Sequence, residues 1–280
     1  MPTTYGQFCP IAKAMEVLDE RWMMLVLREL LLGSRHFNEV RRGVPRMSPT
    51  LLSKRLQTLV RAGVVQRHCE GKQVTYHLTP AGQELMPILE AIGRWGLRWM
   101  QDLYDDDLDP YYLLWDIRRN IDLETVPDTT TVLGFHFSDV DSRVRHWWMV
   151  IRREGVDVCD FDQGHDVWAH VHTTLRTLTR LWRGDFGWSE TLRSGEVVID
   201  GQPAARRTVP RWLGRSFLAD TPRPGPPAPA AGADDPADAP VATGSRLDEF
   251  PGTRRTPPWR PGSTTARRRP RDGYDDQPHP

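Results

Sequence analysis

The sequence predicts an α+β protein with two folded parts and a disordered tail. In residues 1–103, apolar residues recur every three or four positions between helix-capping signals, and two short alternating stretches follow. In residues 130–218, four or five short strands are followed by helices, which is typical of an α+β layer. Residues 104–129 begin with a run of aspartates, and we interpret them as a linker.

The formal net charge is zero, but the charge is unevenly distributed. Residues 1–100 hold 14 Lys and Arg against 8 Asp and Glu, whereas residues 101–219 hold 14 against 20. Only the first segment is therefore expected to bind phosphates. No signal-peptide pattern opens the sequence, and no apolar run approaches the ~18–20 residues that span a bilayer. We expect a cytoplasmic protein without a membrane partner.

The first part is organised around a helix predicted over residues 48–63. Ser48 can cap its first turn, Pro49 suits the first helical position, and Gly63 suits its end. An apolar stripe is formed by Leu52, Leu56 and Leu59. The opposite face is rich in hydroxyl, amide and cationic groups: Thr50, Ser53, Lys54, Gln57 and Arg61. Such a face fits a DNA major groove, although an ordinary solvated helix face is the alternative.

The neighbouring segments favour the DNA-binding interpretation. Three helices are predicted before residue 48, starting near Pro10, Trp22 and Phe37, and together with the helix after Ser48 they make a helix-turn-helix unit. A β-hairpin follows, with its turn at residues 70–72, and a hairpin in this place is a wing. The long helix predicted to follow Thr79 has too many apolar residues for one packed face. That surplus indicates burial against a second subunit.

Residues 9–100 resemble the HxlR-type winged-helix transcriptional regulators, which are relatives of the MarR group. The matching segments include Cys9-Pro10-Ile11, Leu25-Val26-Leu27-Arg28-Glu29-Leu30, Phe37-Asn38-Glu39-Val40, Gly63-Val64-Val65 and Tyr76-His77-Leu78-Thr79. The resemblance implies a homodimer, built partly from the first and last helices of this part, that reads a palindromic operator in double-stranded DNA. The wing is shorter than is typical of the family.

Candidate DNA contacts follow from this arrangement. Groove contacts are assigned to the helix after Ser48, through Ser48, Thr50, Ser53, Lys54, Arg55 and Gln57. Phosphate contacts are assigned to cations elsewhere in this part, namely Arg35, Arg41, Arg46 and Lys72. Arg55 has an alternative role, because it could instead pair with a carboxylate inside the domain.

Cys9 is the candidate for redox sensing. A thiol at a helix N-terminus lies at the positive end of the helix dipole, which favours the thiolate. Some relatives in the family use the matching cysteine as an oxidant or electrophile sensor. The alternative is a small buried residue that packs at the edge of a dimer.

The second part resembles a sterol carrier protein-like domain over about residues 130–215. The resemblance rests on Trp148-Met149-Val150, Leu178–Gly184, Gly195–Gly201 and Pro210-Arg211-Trp212-Leu213. It implies a sheet and helices around an apolar cavity that admits a hydrophobic small molecule. Five histidines lie here, yet their spacing shows only the pair His170 and His172, so we predict neither a metal site nor a cofactor.

The last predicted segment is a tail over residues 219–280. Residues 220–280 hold 14 of the 24 prolines and almost no aliphatic residues. Such a composition buries too little apolar surface to offset the entropy lost when a chain is ordered. The arginines at positions 267–269 and 271 are interpreted as solvated, with non-specific DNA contact as the alternative.

Two functions are compatible with these patterns. The first is a non-enzymatic DNA-binding repressor that reads its operator through residues 48–62 and responds to a hydrophobic ligand or to thiol oxidation. The second is a carrier of lipid-like molecules, in which the winged helix binds other proteins. The basic charge of residues 1–100 favours the first, and we find no motif of an enzyme active site.

Overall fold

The structure is a computed structural model and describes residues 4–100 and 102–223. Ten α-helices and seven strands are formed in these ranges, and the α+β fold class is confirmed. The predicted tail from residue 224 onward lies outside the described residues. None of the helices within those ranges is long and apolar enough to cross a bilayer.

The winged-helix part contains six helices and one hairpin. The helices are α1 (Pro10–Leu18), α2 (Met23–Leu31), α3 (Phe37–Gly43), α4 (Pro49–Arg61), α5 (Pro80–Gln83) and α6 (Met86–Trp99). The strands β1 (Val65–Glu70) and β2 (Gln73–Leu78) pair antiparallel between α4 and α5. The single long helix predicted after Thr79 is therefore two helices, with Glu84 and Leu85 between them.

The core of this part lies among α2, α3, α4 and the start of the hairpin. Its fully buried members include Val26, Leu27, Leu30, Leu52, Leu56 and Leu59. The apolar stripe predicted for α4 is thereby confirmed, as is the almost wholly apolar character of the helix after Trp22. Burial of this stripe fixes which side of α4 faces outward.

The second part is a five-stranded sheet with helices packed on one face. The strands are β3 (Thr131–Phe137), β4 (His146–Arg152), β5 (Gly155–Cys159), β6 (Ala169–Thr173) and β7 (Val198–Gly201). Their order is β5-β4-β3-β6-β7, in which β3 and β6 are parallel and the other neighbours antiparallel. The helices are α8 (Leu175–Trp182), α9 (Trp188–Ser194) and α10 (Ala205–Leu213). These elements closely follow the predicted ones.

Strand β3 lies at the centre of the sheet and is buried on both faces. In β3, Leu133, Phe135 and Phe137 are at most 2% exposed, and they pack with Leu178 and Leu181 of α8 and with Leu213 of α10. These side chains form one hydrophobic core between the sheet and the helices. The opposite face of the sheet carries only a small apolar cluster of Val132, Val150 and Cys159, with Trp148 and Val167 beside it.

The predicted linker over 104–129 requires a correction. It contains α7 (Pro110–Ile117), whose Leu113, Leu114 and Ile117 are buried in the core of the second part. The acidic run suggested a solvated segment, but Asp109 instead caps α7 by accepting a hydrogen bond from the amide of Tyr112 at 3.0 Å. The apolar residues of α7, which follow the aspartates, pack in the core and so bury this helix.

The start of the predicted tail is also packed. Ala219 and Thr221 are buried, and the carbonyl of Pro222 accepts a hydrogen bond from Arg98 Nε at 3.1 Å. Arg223 donates to the carbonyl of Arg183 at 2.8 Å. The folded chain therefore extends at least to residue 223.

Candidate nucleic-acid interface

The outward edge of α4 carries the polar side chains predicted to meet DNA. Thr50, Lys54 and Gln57 are exposed and are spaced four and three residues apart, so they form one stripe opposite the buried leucines. Ser53 beside them is half-buried. None of these four side chains belongs to the core of the winged-helix part. The arrangement leaves a polar ridge free for contact with a groove.

The start of α4 is formed as the sequence predicted. The Ser48 hydroxyl accepts a hydrogen bond from the amide of Leu51 at 3.3 Å, and Pro49 occupies the first helical position. Ser48 itself is exposed. The remaining free amides of this first turn point out of the helix N-terminus, where a phosphate is bound favourably.

Arg55 is the one predicted groove contact that the structure contradicts. Its side chain is only 10% exposed, and it forms an ion pair with Glu20. Its Nε also donates to the carbonyl of Arg21 at 3.0 Å. Position 55 falls between the apolar stripe and the polar ridge, and the chain before α2 supplies a carboxylate there. Arg55 therefore joins α4 to that segment, which is the alternative role that the sequence left open for it.

The predicted phosphate-binding arginines surround α4 in different ways. Arg35 is half-buried, and its carbonyl accepts a hydrogen bond from the amide of Tyr76 at 2.8 Å, which ties it to the hairpin. Arg41 is exposed on α3. Arg46 is exposed too, but its guanidinium donates to the carbonyl of Asp106, so it lies against the segment that precedes α7.

Glu39 supports the loop that carries Arg35. Its carboxylate accepts hydrogen bonds from the amides of Arg35 and His36 at 2.7 and 3.0 Å. Burial favours the neutral form of this carboxyl, but the two amide hydrogen bonds favour the charged form and hold the pKa of Glu39 below its ordinary value. An ionised Glu39 therefore keeps the start of α3 fixed beside α4.

The wing is short, as the sequence indicated. Strands β1 and β2 are joined by a two-residue turn, Gly71-Lys72, in which Gly71 has φ +58°. A positive φ at this point of a tight hairpin favours glycine. Lys72 is exposed at the tip, where it can reach a phosphate.

The three cysteines differ in exposure. Cys9 immediately precedes α1 and is half-buried, Cys69 is exposed on β1, and Cys159 is buried in β5. Burial is the leading cause that raises the pKa of the Cys159 thiol, so its reactive thiolate form is disfavoured.

The structure also brings together histidines that their sequence spacing left apart. His136, His146 and His172 lie side by side on adjacent strands, with the His136 ring centroid 4.9 Å from that of His146 and 5.5 Å from that of His172. Within the part of the chain that is described, no group of three such residues is arranged to hold a metal ion.

A buried charge network was not recognised in the sequence. Glu29 in α2 is fully buried and pairs with Arg28 and with Arg119, which follows α7. Arg28 also donates to the carbonyl of Gly43 at 2.8 Å. Adjacent Arg28 and Glu29 inside an otherwise apolar helix were the signal available. The network joins the winged helix to the second part of the chain.

Comparison with known proteins identifies the family of the winged-helix part. A family model described as HxlR-like helix-turn-helix matches residues 17–104. The HTH-type transcriptional regulator YvaP of Bacillus subtilis is 36% identical over 105 residues, which are 36% of this chain and 97% of that protein. The HTH-type transcriptional regulator sll1512 of Synechocystis is 34% identical over 99 residues, covering 34% of this chain and 73% of that protein.

A solved structure, the reduced form of the transcriptional regulator YodB from B. subtilis, aligns with 33% of this chain and 95% of that chain, at 27% identity and a TM-score of 0.30. The family-model match and the two relatives cover only the first third or so of this chain, so the resemblance of residues 130–215 to a sterol carrier domain is left as a prediction. The family model matches residues 17–104, and YvaP is 36% identical over 97% of its own length, so the family of this part is established. The chain belongs to the HxlR-like helix-turn-helix family of transcriptional regulators.

Proposed function

We propose that this regulator is a homodimeric repressor that binds a palindromic operator in double-stranded DNA through residues 48–62. A hydrophobic small molecule, or oxidation of Cys9, is proposed to weaken that binding. The observation that carries the proposal is the orientation of α4. Its apolar stripe is fully buried, and the opposite polar ridge of Thr50, Lys54 and Gln57 is exposed.

The proposed dimer rests on an exposed apolar face of α6. Ile88, Ile92, Trp95 and Trp99 are between 47% and 57% exposed and recur at intervals of four, three and four residues. A stripe with this spacing suits packing against another helix. Exposed apolar residues also occur in and before α1, where Phe8 is 99% and Ile11 is 71% exposed. A second copy of the chain would cover both helices.

A two-fold dimer explains why a palindromic operator is expected. Symmetry presents two copies of α4 to the same face of the duplex, about one helical turn or ~34 Å apart, so each copy meets one half-site. Electrophoretic mobility shift with DNA from upstream of its own gene, at two salt concentrations, tests the proposal. Binding that ignores sequence at both salt concentrations would contradict it.

Substitutions in α4 and in the wing should have different effects on DNA binding. Gln57→Ala is expected to cost ~1–3 kcal/mol at one operator position, because it removes a contact to a base edge. Lys72→Ala should weaken binding to every sequence and reduce the slope of log affinity against log salt by ~1, because it removes one phosphate contact. Titrations against operator and scrambled duplexes at several salt concentrations measure both effects.

The exposed Arg193 provides a control for charge alone. It lies in α9 of the second part, so Arg193→Ala removes one positive charge without touching the proposed interface. We expect both operator affinity and the salt slope to stay unchanged. If this control matched Lys72→Ala, the wing would have no specific role in phosphate binding.

The proposed redox response depends on Cys9. Treatment with hydrogen peroxide, which oxidises a thiol to a sulfenic acid and is itself reduced to water, should lower operator affinity about tenfold, which corresponds to a coupling free energy of ~1.4 kcal/mol. Cys9→Ser should abolish this response without changing the affinity of the untreated protein. The matched control is Cys69→Ser, because Cys69 is the more exposed thiol. Loss of the response in that control would assign the effect to the wing.

A further inference from the structure

An apolar cavity lies where the winged helix meets the second part of the chain. Its volume is about 430 Å³, within the ~300–1,000 Å³ range of small-molecule pockets. Its walls come from α2, α6, α7, α8 and residues 216–218. The resemblance to a sterol carrier domain predicted a ligand cavity within residues 130–215, but most of the residues that line this cavity lie outside that range.

The lining is largely apolar and includes three aromatic residues, Tyr112, Trp182 and Phe217. On α6 the wall is formed by Leu89, Ile92, Gly93 and Leu97. Residues 216–218 pack directly on this helix, because a Cβ added at Gly93 would lie 2.7 Å from Leu218 Cδ1. A bound molecule would therefore contact the helix that carries the proposed dimer face.

Two carboxylates at the cavity, those of Asp107 and Asp109, have no ion-pair partner within residues 4–100 and 102–223. Asp107 accepts a hydrogen bond only from the amide of Tyr104, and Asp109 only from the amide of Tyr112, each at 3.0 Å. Their negative charge is therefore not neutralised by a neighbouring cation. The third lining carboxylate, Asp116, is paired with Arg119 and accepts a hydrogen bond from Trp182 Nε1 at 3.1 Å.

The cations that line the cavity are already engaged. Arg28 is bound to Glu29 and to the carbonyl of Gly43, and Arg183 has a carboxylate oxygen of Asp185 at 3.9 Å. An anionic ligand would find no free cation here. The ring of Tyr112 already has the Arg28 guanidinium 5.1 Å from its centroid. A cationic ligand would find two carboxylates without an ion-pair partner and the rings of Trp182 and Phe217, and both kinds of group attract a positive charge.

We propose that this cavity binds a lipophilic organic cation, with its apolar body against α6 and Trp182 and its charge beside Asp107 and Asp109. This proposal names the chemical class of the effector proposed above, and its regulatory consequence rests on that proposed function. Because α6 forms one wall and also carries the dimer face, occupation of the cavity would change the spacing of the two α4 helices.

The binding step is tested without DNA. Isothermal titration calorimetry of the full-length protein would compare tetraphenylphosphonium with tetraphenylborate, two ions of nearly the same size and opposite charge. We expect tetraphenylphosphonium to bind at least about tenfold more tightly. Equal binding of the two ions, or no binding of tetraphenylphosphonium, would overturn the proposal.

Neutral isosteres identify the carboxylates that matter. Asp107→Asn and Asp109→Asn should each weaken tetraphenylphosphonium binding about three- to tenfold. Both keep a hydrogen-bond acceptor for the amide that is now bound, and asparagine caps helices as well as aspartate does. Asp102→Asn removes the same charge from the same segment, but Asp102 does not line the cavity. The affinity of this variant for tetraphenylphosphonium should therefore stay unchanged. Unchanged affinity in both lining variants would reject the site.

The two proposals fail in distinguishable ways. If tetraphenylphosphonium binds but no duplex does, the repressor function is wrong and the cavity stands. If a specific duplex binds and tetraphenylphosphonium does not, only the cavity proposal fails. If both bind, tetraphenylphosphonium should lower the operator affinity of the unmodified protein. The tetraphenylphosphonium concentration that gives half of this effect should be higher in Asp109→Asn.

Discussion

Glu29→Ala is expected to lower the free energy of unfolding by about 3–5 kcal/mol, because it leaves the guanidinium of Arg28 without a carboxylate partner and that of Arg119 with Asp116 alone. Glu29 is fully buried, while the side chains of Arg28 and Arg119 are 19% and 14% exposed. The carboxylate also lies against Gly43, where an added Cβ would collide with it. Urea denaturation followed by tryptophan fluorescence measures the loss.

An exposed ion pair provides the matched control. Arg94 and Glu90 are four residues apart on α6 at 2.8 Å, and the Arg94 side chain is 54% exposed. Since such helix pairs contribute only ~0.3–0.5 kcal/mol, Glu90→Ala should hardly change the stability. If the two variants were equally stable, Glu29 would not act as the charge that joins α2 to the residues following α7.

Trp95→Asp is expected to convert the proposed dimer into a monomer and to lower operator affinity by at least about a hundredfold. Trp95 is 56% exposed at the middle of the apolar stripe on α6, so the substitution would place a charge at the centre of the proposed dimer interface. Without the partner, each α4 binds one half-site and loses the gain from two linked contacts. Light scattering with size-exclusion chromatography measures the mass, and mobility shift measures the affinity.

Val198→Asp tests whether any exposed apolar residue would give this result. Val198 is 50% exposed on β7 of the second part, away from α1 and α6. We expect its mass and operator affinity to match those of the unmodified protein. A dimer that persists in Trp95→Asp would remove α6 from the proposed interface.

Local patterns in the sequence were sufficient for most elements. The cap at Ser48, the proline at position 49 and the leucines at 52, 56 and 59 predicted α4 and its buried side, since all of these act within one or two helical turns. The strand predicted over residues 131–137 likewise has the observed bounds of β3. Such short-range rules do not depend on how distant segments pack.

Where charged residues meet distant partners, the sequence alone was misleading. The pattern on α4 assigned Arg55 to DNA, with pairing inside the domain as the alternative, and could not show that its partner Glu20 lies 35 positions earlier in the chain. The aspartate run before α7 suggested a linker, although the apolar residues behind it enter the core. Both errors have one cause, which is that local composition does not reveal which charges are neutralised by the fold.

The sequence by itself determined the helix-turn-helix family, the polar edge of α4 and the order of strands and helices along the chain, because periodicity and capping are encoded within a few residues. The tertiary structure alone decided the burial of Glu29 between two arginines and the position of the apolar cavity. Each of these joins residues about 90 or more positions apart, as Glu29 joins Arg119 and Gly93 joins Leu218. Only packing of the second part against the winged helix brings such residues together, and it is this packing that would couple a bound ligand to DNA recognition.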